Sequence, residues 1–342
     1  MQPVLKRKLN LLLTICVITT LSGVIYQYID IDYIDFRSIY LGLNLGLSFG
    51  ILELFILTRY QHQFQKLPFF WHLVIKTILY TIIILVVAGS IFLLFGLRED
   101  REVGWFWDDL LSPGFYALII YTLMVYTLLV FYMQINKMLG EGVLLKFLWG
   151  RYYKPVEEER IFMFMDMKSS TTVAERLGHQ KYYALLDDFY HEITKPVLKN
   201  KAEIYQYVGD EVVFTWKTKK GVENINCIEI YFDIKERIEK KQDRYSDKYG
   251  VVPKFKAGIH FGKVITAKIG DLKRVIVYNG DVLNTTSRIQ EKCNKYNCEL
   301  LISGTLLEKL ELGKCYHSNF MKSTKLRGKK TKIDLYCIEK TT

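Results

Sequence analysis

Two aspartates occupy positions where an isolated charge is costly. Asp166 ends the apolar run 160–166, and Asp210 lies in a tight Gly-Asp turn between two apolar runs. A charge beside a buried strand costs several kcal/mol unless it is paired or bound to a metal. Two carboxylates that converge at one end of a sheet suit Mg²⁺, because this hard ion prefers oxygen ligands and often bridges phosphates. A capping role for one aspartate and a turn role for the other is the alternative, and it stays open at this point.

The polar run that follows Asp166 adds a feature that suits an anion. The segment 169–178, SSTTVAERLG, has the Ser and Thr residues that commonly cap the start of a helix. A helix start at Ser170 and Thr171 offers backbone N–H groups to a bound anion. The two carboxylates and this helix start together predict a site for a metal and a triphosphate.

A mixed frame of strands and helices must position these residues. The patterns predict strands at 160–166, 203–216 (a pair around Gly209-Asp210), 254–260, 263–269, 274–278, 300–303 and 333–338. They predict helices from 169, at 180–199, at 224–245 and at 282–295. The order strand–helix–strand–strand–helix–strand is typical of a ferredoxin-like α+β core, here with additions. The strands on either side of Gly262 are expected to pair with each other.

The N-terminal part of the chain has a different character. Four runs have at most one charge each, and they cover 9–29, 38–58, 73–96 and 115–135. Each exceeds the ~18 apolar residues that indicate a membrane span. We therefore expect an N-terminal four-helix transmembrane domain in residues 1–135, a linker helix in 136–157 and a soluble catalytic domain in 158–342.

The charges of the connecting segments predict the orientation of this domain. Residues 1–8 and the segment after the second run are basic without acids, whereas the other two segments carry more acids than bases. Basic segments stay in the cytoplasm. Both termini and the soluble domain are therefore expected in the cytoplasm, on a multi-pass protein of the inner (plasma) membrane.

The net charge of +11 is distributed unevenly along the chain. Residues 1–135 carry nine basic and nine acidic residues, so the whole excess lies in the remainder. There it faces the anionic inner leaflet of the membrane. The sequence has no recognisable element that reads nucleic acid, so no nucleic-acid partner is expected.

Several residues of the predicted spans allow more than one reading. Glu53 and Lys76 could pair with each other or extend to the membrane interface. Gly42, Gly46 and Gly50 lie on one helix face, which permits close packing within the chain or dimerisation.

The six cysteines include no Cys-x-x-Cys pair, so no zinc site is expected, and a cytoplasmic location predicts free thiols.

Three ordered motifs of the soluble domain match one known family. They are FMDMKSST at 164–171, YVGDEVV at 207–213 and GDVLNTTSRIQ at 280–290. Their combination is specific, although each alone is a weak signal. On these motifs, residues 158–340 resemble the catalytic domain of class III nucleotidyl cyclases. The four spans followed by this domain also resemble membrane-bound cyclase-domain proteins of Bacteroidetes-type bacteria.

The resemblance implies roles for five residues. Asp166 and Asp210, with the backbone carbonyl of Met167, would hold two divalent ions, Mg²⁺ or Mn²⁺. One ion would activate the ribose 3′-hydroxyl and the other would hold the triphosphate. Asn284 and Arg288 would orient the ribose and stabilise the transition state, and their four-residue spacing places both on one helix face.

The resemblance also implies phosphate-binding and base-selecting positions. The segment KLRGKKTK at 325–332 matches the phosphate-binding segment of the family, with Arg327 or Lys329 in that role. The base-selecting positions hold Gln206 and Val277. Adenylate cyclases of the family usually have Lys at the first position and Asp at the second. Guanylate cyclases usually have Glu at the first position. Gln can donate to and accept from either purine. Adenylate cyclase is favoured as the commoner bacterial activity, and guanylate cyclase is the alternative.

The family arrangement further implies a homodimer that binds ATP, or possibly GTP, at the subunit interface. Metal aspartates from one subunit would face the Asn/Arg pair of the other. Two rival hypotheses are a diguanylate cyclase, because VGDEV resembles GGDEF, and a degenerate domain that binds nucleotides without turnover. The Asn284–Arg288 motif and the non-glycine Val208 argue against the first rival, and the presence of both functional pairs argues against the second.

Overall fold

The computed structural model describes residues 3–31, 36–58, 68–98, 111–139, 144, 149–150, 154–272, 275–325 and 332–341. The chain divides into two units, Met1–Leu139 and Gly140–Thr342, and each is described by itself.

The first unit consists of long apolar helices. They are α1 (Pro3–Ile31), α2 (Phe36–Ile51), α3 (Phe69–Arg98) and α4 (Pro113–Leu139), and a π-helical turn (Leu52–Leu57) continues α2. Three stretches are long and apolar enough to cross a membrane, namely Leu5–Ile29, Phe36–Leu57 and Pro113–Asn136. The described part of α3 contributes a shorter apolar stretch, Val74–Ser90. The fourth span therefore stays a prediction.

The glycine stripe of α2 packs inside the chain. A Cβ atom on Gly42 would lie 2.7 Å from the Thr20 Cα, and one on Gly46 would lie 2.9 Å from the Cys16 Cα. Only glycine leaves room for backbones this close, because small residues let two helices approach. Of the two roles expected for the stripe, packing within the chain is the one observed, against α1.

The two charges of the predicted spans form a buried pair. Lys76 Nζ lies 2.5 Å from Glu53 Oε1, and the Tyr80 hydroxyl donates to Glu53 Oε2 at 2.8 Å. All three side chains are less than a tenth exposed. The pair confirms one of the two alternatives for these charges. It joins the π-helical turn, which carries Glu53, to α3.

The second unit is built on one mixed sheet. Its strands are β1 (Val156–Met167), β2 (Glu203–Val208), β3 (Glu211–Lys217), β4 (Phe255–Ile269), β5 (Val275–Asn279), β6 (Leu300–Ser303), β7 (Tyr316–Lys325) and β8 (Lys332–Lys340). Its helices are α5 (Ser170–Lys199), α6 (Thr218–Val222), α7 (Asn226–Glu239), α8 (Gln242–Tyr249), α9 (Asp281–Tyr296) and α10 (Gly304–Leu307), with a 3₁₀ turn at Glu223–Ile225.

The strand order contains the expected ferredoxin-like core. The sheet runs β2-β3-β1-β4-β6-β8-β7, and β5 pairs with the far end of β4. The strands β2, β3, β1 and β4 pair antiparallel with one another, whereas β6 pairs parallel with β4. The helices α5 and α7 pack on one face of this sheet. This is the βαββαβ arrangement with additional strands at one edge.

The two faces of β1 have different tasks, because successive side chains of a strand alternate. Ile161, Met163 and Met165 are fully buried in the core beneath α5 and α7. Phe162 and Phe164 point to the other face, where they pack in a smaller apolar cluster that includes a residue of α9. Asp166 continues this second face, so the strand delivers its carboxylate away from the main core.

One predicted turn is absent, because β4 is continuous where a break at Gly262 was expected. Gly262 pairs with Arg160 inside the β1–β4 ladder, which runs without a gap from Phe255 to Thr266. A Cβ on Gly262 would lie 3.1 Å from the Val282 Cβ. The glycine therefore allows α9 to approach the strand, and it does not turn the chain.

The predicted boundary and linker also need correction. The helix α4 continues to Leu139, and β1 already begins at Val156, inside the linker helix predicted for 136–157. The strand starts early because β4 extends far enough to pair Val156 with Thr266. Most of 140–153 lies outside the described residues.

The expectation of free thiols is wrong for two of the cysteines. Cys298 and Cys337 form a disulfide whose Cα atoms are 6.0 Å apart. Cys298 lies just before β6, and Cys337 pairs with Leu301 of that strand. The two residues therefore meet because β6 and β8 are neighbours in the sheet. Cys16, Cys227, Cys293 and Cys315 are free.

Candidate active site

Asp166 is held at the end of the β1–β4 pair. It lies opposite Lys256 in the ladder, and the Lys256 ammonium is 3.3 Å from its Oδ2. The Gln290 side-chain amide of α9 donates to the same oxygen at 3.1 Å. Two adjoining strands and one helix therefore fix this carboxylate.

Asp210 reaches the same place from the turn between β2 and β3. Gly209 has φ of 62°, in the left-handed region that favours glycine, and this allows the tight turn. The strand β3 pairs with β1 up to Met165 and Val212, so the turn lies beside the end of β1. The Asp210 Oδ2 is buried and has no hydrogen-bond partner among the described residues.

The acidic groups of the site disfavour one another's charge. Burial and the adjacent Asp210 carboxylate raise the pKa of Asp166, although Lys256 opposes this shift. Burial, with the Asp166 and Asp210 charges next, raises the pKa of Glu211 to about 7. Carboxylates crowded in this way hold protons unless a cation neutralises them.

This arrangement fits a divalent cation. The orphaned Asp210 oxygen and the adjacent Asp166 carboxylate are the oxygen donors that Mg²⁺ and Mn²⁺ take. The Met167 side chain is buried on the other face of β1, so only its backbone carbonyl is available. Within the described parts of the chain, no cluster of three or more His, Cys, Asp or Glu side chains is arranged for a metal. Further ligands would therefore be backbone, substrate or water oxygens.

The predicted anion site lies at the start of α5. The helix begins at Ser170, after Ser169 in a left-handed conformation (φ 56°). In this described segment, Ser169 makes no side-chain capping bond, so the expected capping is not observed. Thr171 is exposed and Ser170 is partly exposed. Two residues, Lys168 and Ser169, separate Met167 at the end of β1 from the first turn of α5.

The helix α9 carries the predicted Asn/Arg pair on its outer face. Asn284 is exposed and Arg288 is partly exposed, whereas Thr285, Thr286 and Ile289 are fully buried. Asn284 is therefore accessible from outside the domain, and Arg288 is accessible in part. Gln290, at the end of the same motif, is the residue of α9 that contacts Asp166.

The base-selecting positions lie on β2 and β5. Gln206 is exposed and follows an irregularity of the β2–β3 ladder, and Val277 is partly buried opposite Ala267. Their neighbours Tyr205 and Tyr278 meet with ring centroids 4.9 Å apart. The structure therefore brings these two parts of the chain together. Arg327 and Lys329, the predicted phosphate-binding residues, lie outside the described residues.

Sequence reasoning missed three residues of the site. Lys256 and Gln290 contact Asp166, and Glu211 shares its electrostatic field. Glu211 and Gln290 belong to motifs already identified, so their positions gave a signal. Lys256 gave none, because its place depends on the register between β1 and β4.

The family of the chain follows from its comparison with known proteins. Residues 152–340 match the family described as the adenylate and guanylate cyclase catalytic domain. The match covers more than half of the chain. The chain belongs to this family, as the three motifs predicted.

Two relatives and one solved structure illustrate the similarity. Adenylate cyclase 2 of Rhizobium meliloti (strain 1021) is 37% identical over 214 residues, which are 63% of this chain and 57% of that protein. The adenylate cyclase of Anabaena cylindrica is 24% identical over 181 residues, 51% of this chain and 35% of its own length. A bacterial light-regulated adenylyl cyclase has the same fold, with a TM-score of 0.55 and 17% identity over 64% of each chain. The chain thus spans well under two thirds of either relative.

Proposed function

We propose that this protein is a membrane-anchored nucleotidyl cyclase that converts ATP to 3′,5′-cyclic AMP and diphosphate. The ribose 3′-oxygen attacks the α-phosphorus, the bond to the diphosphate breaks, and the hydroxyl proton is lost. The observation that carries the proposal is the convergence of Asp166 with the partnerless Asp210 oxygen in a chain of the cyclase family. Signal transduction is the process that such a product serves.

The residues divide the task between charge and orientation. Asp166, Asp210 and the Met167 carbonyl would hold two divalent ions, Mg²⁺ or Mn²⁺. Bound ions of this kind lower the pKa of a coordinated hydroxyl and neutralise phosphate charge. The N–H groups at Ser170 and Thr171 are placed to receive phosphate oxygens. Arg288 suits the transition state because its planar fork binds phosphate oxygens bidentately, and Asn284 would orient the ribose.

The proposed base-selecting residues do not choose between ATP and GTP. Gln206 and Val277 carry no charge, so neither purine is rejected electrostatically. The 37% identical relative named as an adenylate cyclase favours ATP. The amide of Gln206 can donate and accept, which keeps guanylate cyclase as the second candidate.

We also propose that the active enzyme is a homodimer with its sites at the interface. The outward direction of Asn284 and the partial exposure of Arg288 support a partner that approaches α9. Exposed apolar side chains on β2 and on the β4–β5 pair support a subunit contact, and they include Tyr207, Val208, Ile265 and Ile269. Each dimer would then have two equivalent sites.

The apolar helices of the first unit support anchoring in the inner membrane with four spans and cytoplasmic termini. Three stretches already have sufficient length and hydropathy. Retention of the protein in carbonate-washed membranes checks the anchoring, because this wash removes peripheral proteins. Release into the wash would contradict it.

Turnover of the full chain in membranes tests the activity. ATP and GTP are offered separately with Mg²⁺ or Mn²⁺, and cyclic AMP, cyclic GMP and cyclic di-GMP are measured. We expect cyclic AMP from the wild type and at least about a 100-fold loss in Asp166→Asn, because the ligand set loses a charge. No cyclic mononucleotide from a folded, dimeric wild type would refute the proposal. Cyclic GMP alone would assign the second candidate.

A further inference from the structure

Tyr190 of α5 makes a direct contact with the turn that carries Asp210. Its hydroxyl donates to the Gly209 carbonyl oxygen at 2.5 Å. Its ring lies 4.5 Å, centroid to centroid, from the ring of Tyr207 on β2. The Tyr190 side chain therefore contacts the turn at two points, namely the Gly209 carbonyl and the Tyr207 ring on β2.

The helix that carries Tyr190 is firmly anchored at this point. The preceding residue, Phe189, is fully buried and stacks on Phe255 with ring centroids 4.1 Å apart. Phe255 is the first residue of β4, and it pairs with Met167 at the end of β1. Tyr190 therefore links the Asp210 turn to the same strand ends that position Asp166.

The bonded carbonyl has a mechanical consequence for Asp210. The Gly209 carbonyl and the Asp210 N–H belong to one planar peptide unit, so fixing the oxygen fixes the orientation of the whole unit. Rotation of this unit would swing the Asp210 carboxylate away from Asp166. Packing gives little resistance, because no described atom lies within 4 Å of a Cβ placed on Gly209.

The donor remains available at physiological pH. Burial, together with the Asp210 charge, raises the pKa of Tyr190 to about 12. The phenol therefore keeps its proton, and its bond to the carbonyl does not depend on pH in the neutral range.

We propose that Tyr190 is a positioning residue that orients the Asp210 carboxylate for binding a divalent cation. It would act through the Gly209–Asp210 peptide unit, to which its hydroxyl is bonded. The inference rests on the proposed metal-dependent function.

The test removes the hydroxyl and keeps the ring. The variant is Tyr190→Phe in the full chain, and the matched control is Tyr183→Phe, on the same helix with its side chain 74% exposed. Mn²⁺ binding is measured without nucleotide, by the EPR signal of the free ion, and melting temperatures are measured in EDTA. We expect the Mn²⁺ dissociation constant to rise about fivefold in Tyr190→Phe, the effect of one net hydrogen bond. Tyr183→Phe should match the wild type.

A second background separates positioning from general stability. In Asp210→Asn, the ligand is already impaired, so adding Tyr190→Phe should change Mn²⁺ binding less than twofold. An unchanged dissociation constant in Tyr190→Phe, or an equal weakening in both backgrounds, would overturn the proposal. The proposal would also be overturned if the melting temperature of Tyr190→Phe in EDTA fell far enough for partial unfolding to explain the weaker Mn²⁺ binding.

The activity readout distinguishes this inference from the proposed function. In Tyr190→Phe, the Mn²⁺ concentration for half-maximal turnover should rise about fivefold, while KM for ATP stays within twofold. A wild type that binds Mn²⁺ but forms no cyclic nucleotide would refute the proposed function alone. The binding comparison would still decide the role of Tyr190.

Discussion

The carboxylates of the candidate site carry more negative charge than the neighbouring groups balance. Burial and then the Asp210 carboxylate raise the pKa of Asp166. Burial and then both aspartates raise the pKa of Glu211, and Lys256 only partly opposes the two shifts. Protonation and cation binding are therefore competing ways to relieve the same repulsion. Crowded carboxylates of this kind increase the affinity for a metal ion and lower the stability of the metal-free protein.

The pH dependence of stability follows from Glu211. Its pKa rises from 4.5 to about 7 on folding, so its stabilising contribution is complete below pH 4.5 and is lost as the pH rises to about 7. Added Mn²⁺ displaces these protons, so its stabilising effect should grow over the same interval. Melting temperatures with Mn²⁺ and with EDTA at pH 5, 6, 7 and 8 measure this difference.

Glu211→Gln should make the stabilisation by Mn²⁺ less dependent on pH. The matched control is Glu308→Gln at an exposed position, and it should leave this pH dependence unchanged. Mn²⁺ stabilisation that is the same at pH 5 and pH 8 would contradict this account of the site.

Single residues differ in how far the sequence revealed them. Asp166 and Asp210 could be identified because each is a charge at the end of an apolar run. Lys256 could not, because its distance from Asp166 is decided by the pairing of two strands about ninety positions apart. Tyr190 could not either, since a tyrosine in a helix is ordinarily a packing residue and its bond to Gly209 is a tertiary contact.

The helix α9 and strand β4 form the structural unit that brings Gln290 to Asp166. A Cβ on Gly258 would lie 2.4 Å from the Gln290 backbone nitrogen and 2.7 Å from its Cα. Backbone atoms cannot move aside independently, so any larger residue at 258 must displace the whole helix. The same helix carries Asn284 and Arg288, which makes its distance from the sheet a functional quantity.

Gly258→Ala should therefore reduce both stability and activity. We expect a loss of about 1–3 kcal/mol in the free energy of unfolding, typical of overpacking, and a loss of turnover larger than the folded fraction explains. Gly313→Ala is the matched control, because no described atom lies within 4 Å of its Cβ position. Thermal unfolding and turnover are measured on both variants. Wild-type turnover in Gly258→Ala would show that the position of α9 is not critical.

The order of the elements was predictable, and of two glycine breaks that the sequence predicted, one is absent and one is present. Hydrophobic alternation and turn residues located the core strands and the main helices. The break predicted at Gly262 is wrong because a glycine in a strand can mark close packing as well as a turn. Conversely, α5 is interrupted at Gly178, with φ of 71° and ψ of 162°, where the sequence predicted the gap between two helices.

At the scale of the whole molecule, the chain joins two units of opposite composition. The segment up to residue 135 has no net charge, and the remainder carries the entire +11. A basic domain attracts polyanions, and this suits the nucleoside triphosphate substrate proposed above. This asymmetry could be read from the sequence. The buried Glu53–Lys76 pair could only be offered as an alternative, because pairing depends on which helices are neighbours.

The proposed sharing of each active site between two subunits makes a prediction at the level of the dimer. In a mixed dimer of Asp166→Ala and Arg288→Ala, one site combines both defects and the other is intact. Random pairing makes half of the dimers mixed, so co-expression should recover about a quarter of the wild-type activity. Each variant alone should be inactive, and cyclic AMP formed by membranes of the co-expressing cells is the measurement. Mixed dimers isolated through two different affinity tags should have about half of the wild-type activity, because one of their two sites is intact. Asp166→Ala with Asp210→Ala is the control, since both changes affect the same half-site and leave no intact one. No recovery in verified mixed dimers of the first pair would show that each site is built from one subunit. Recovery in the control would show that Asp166 and Asp210 do not act in the same half-site.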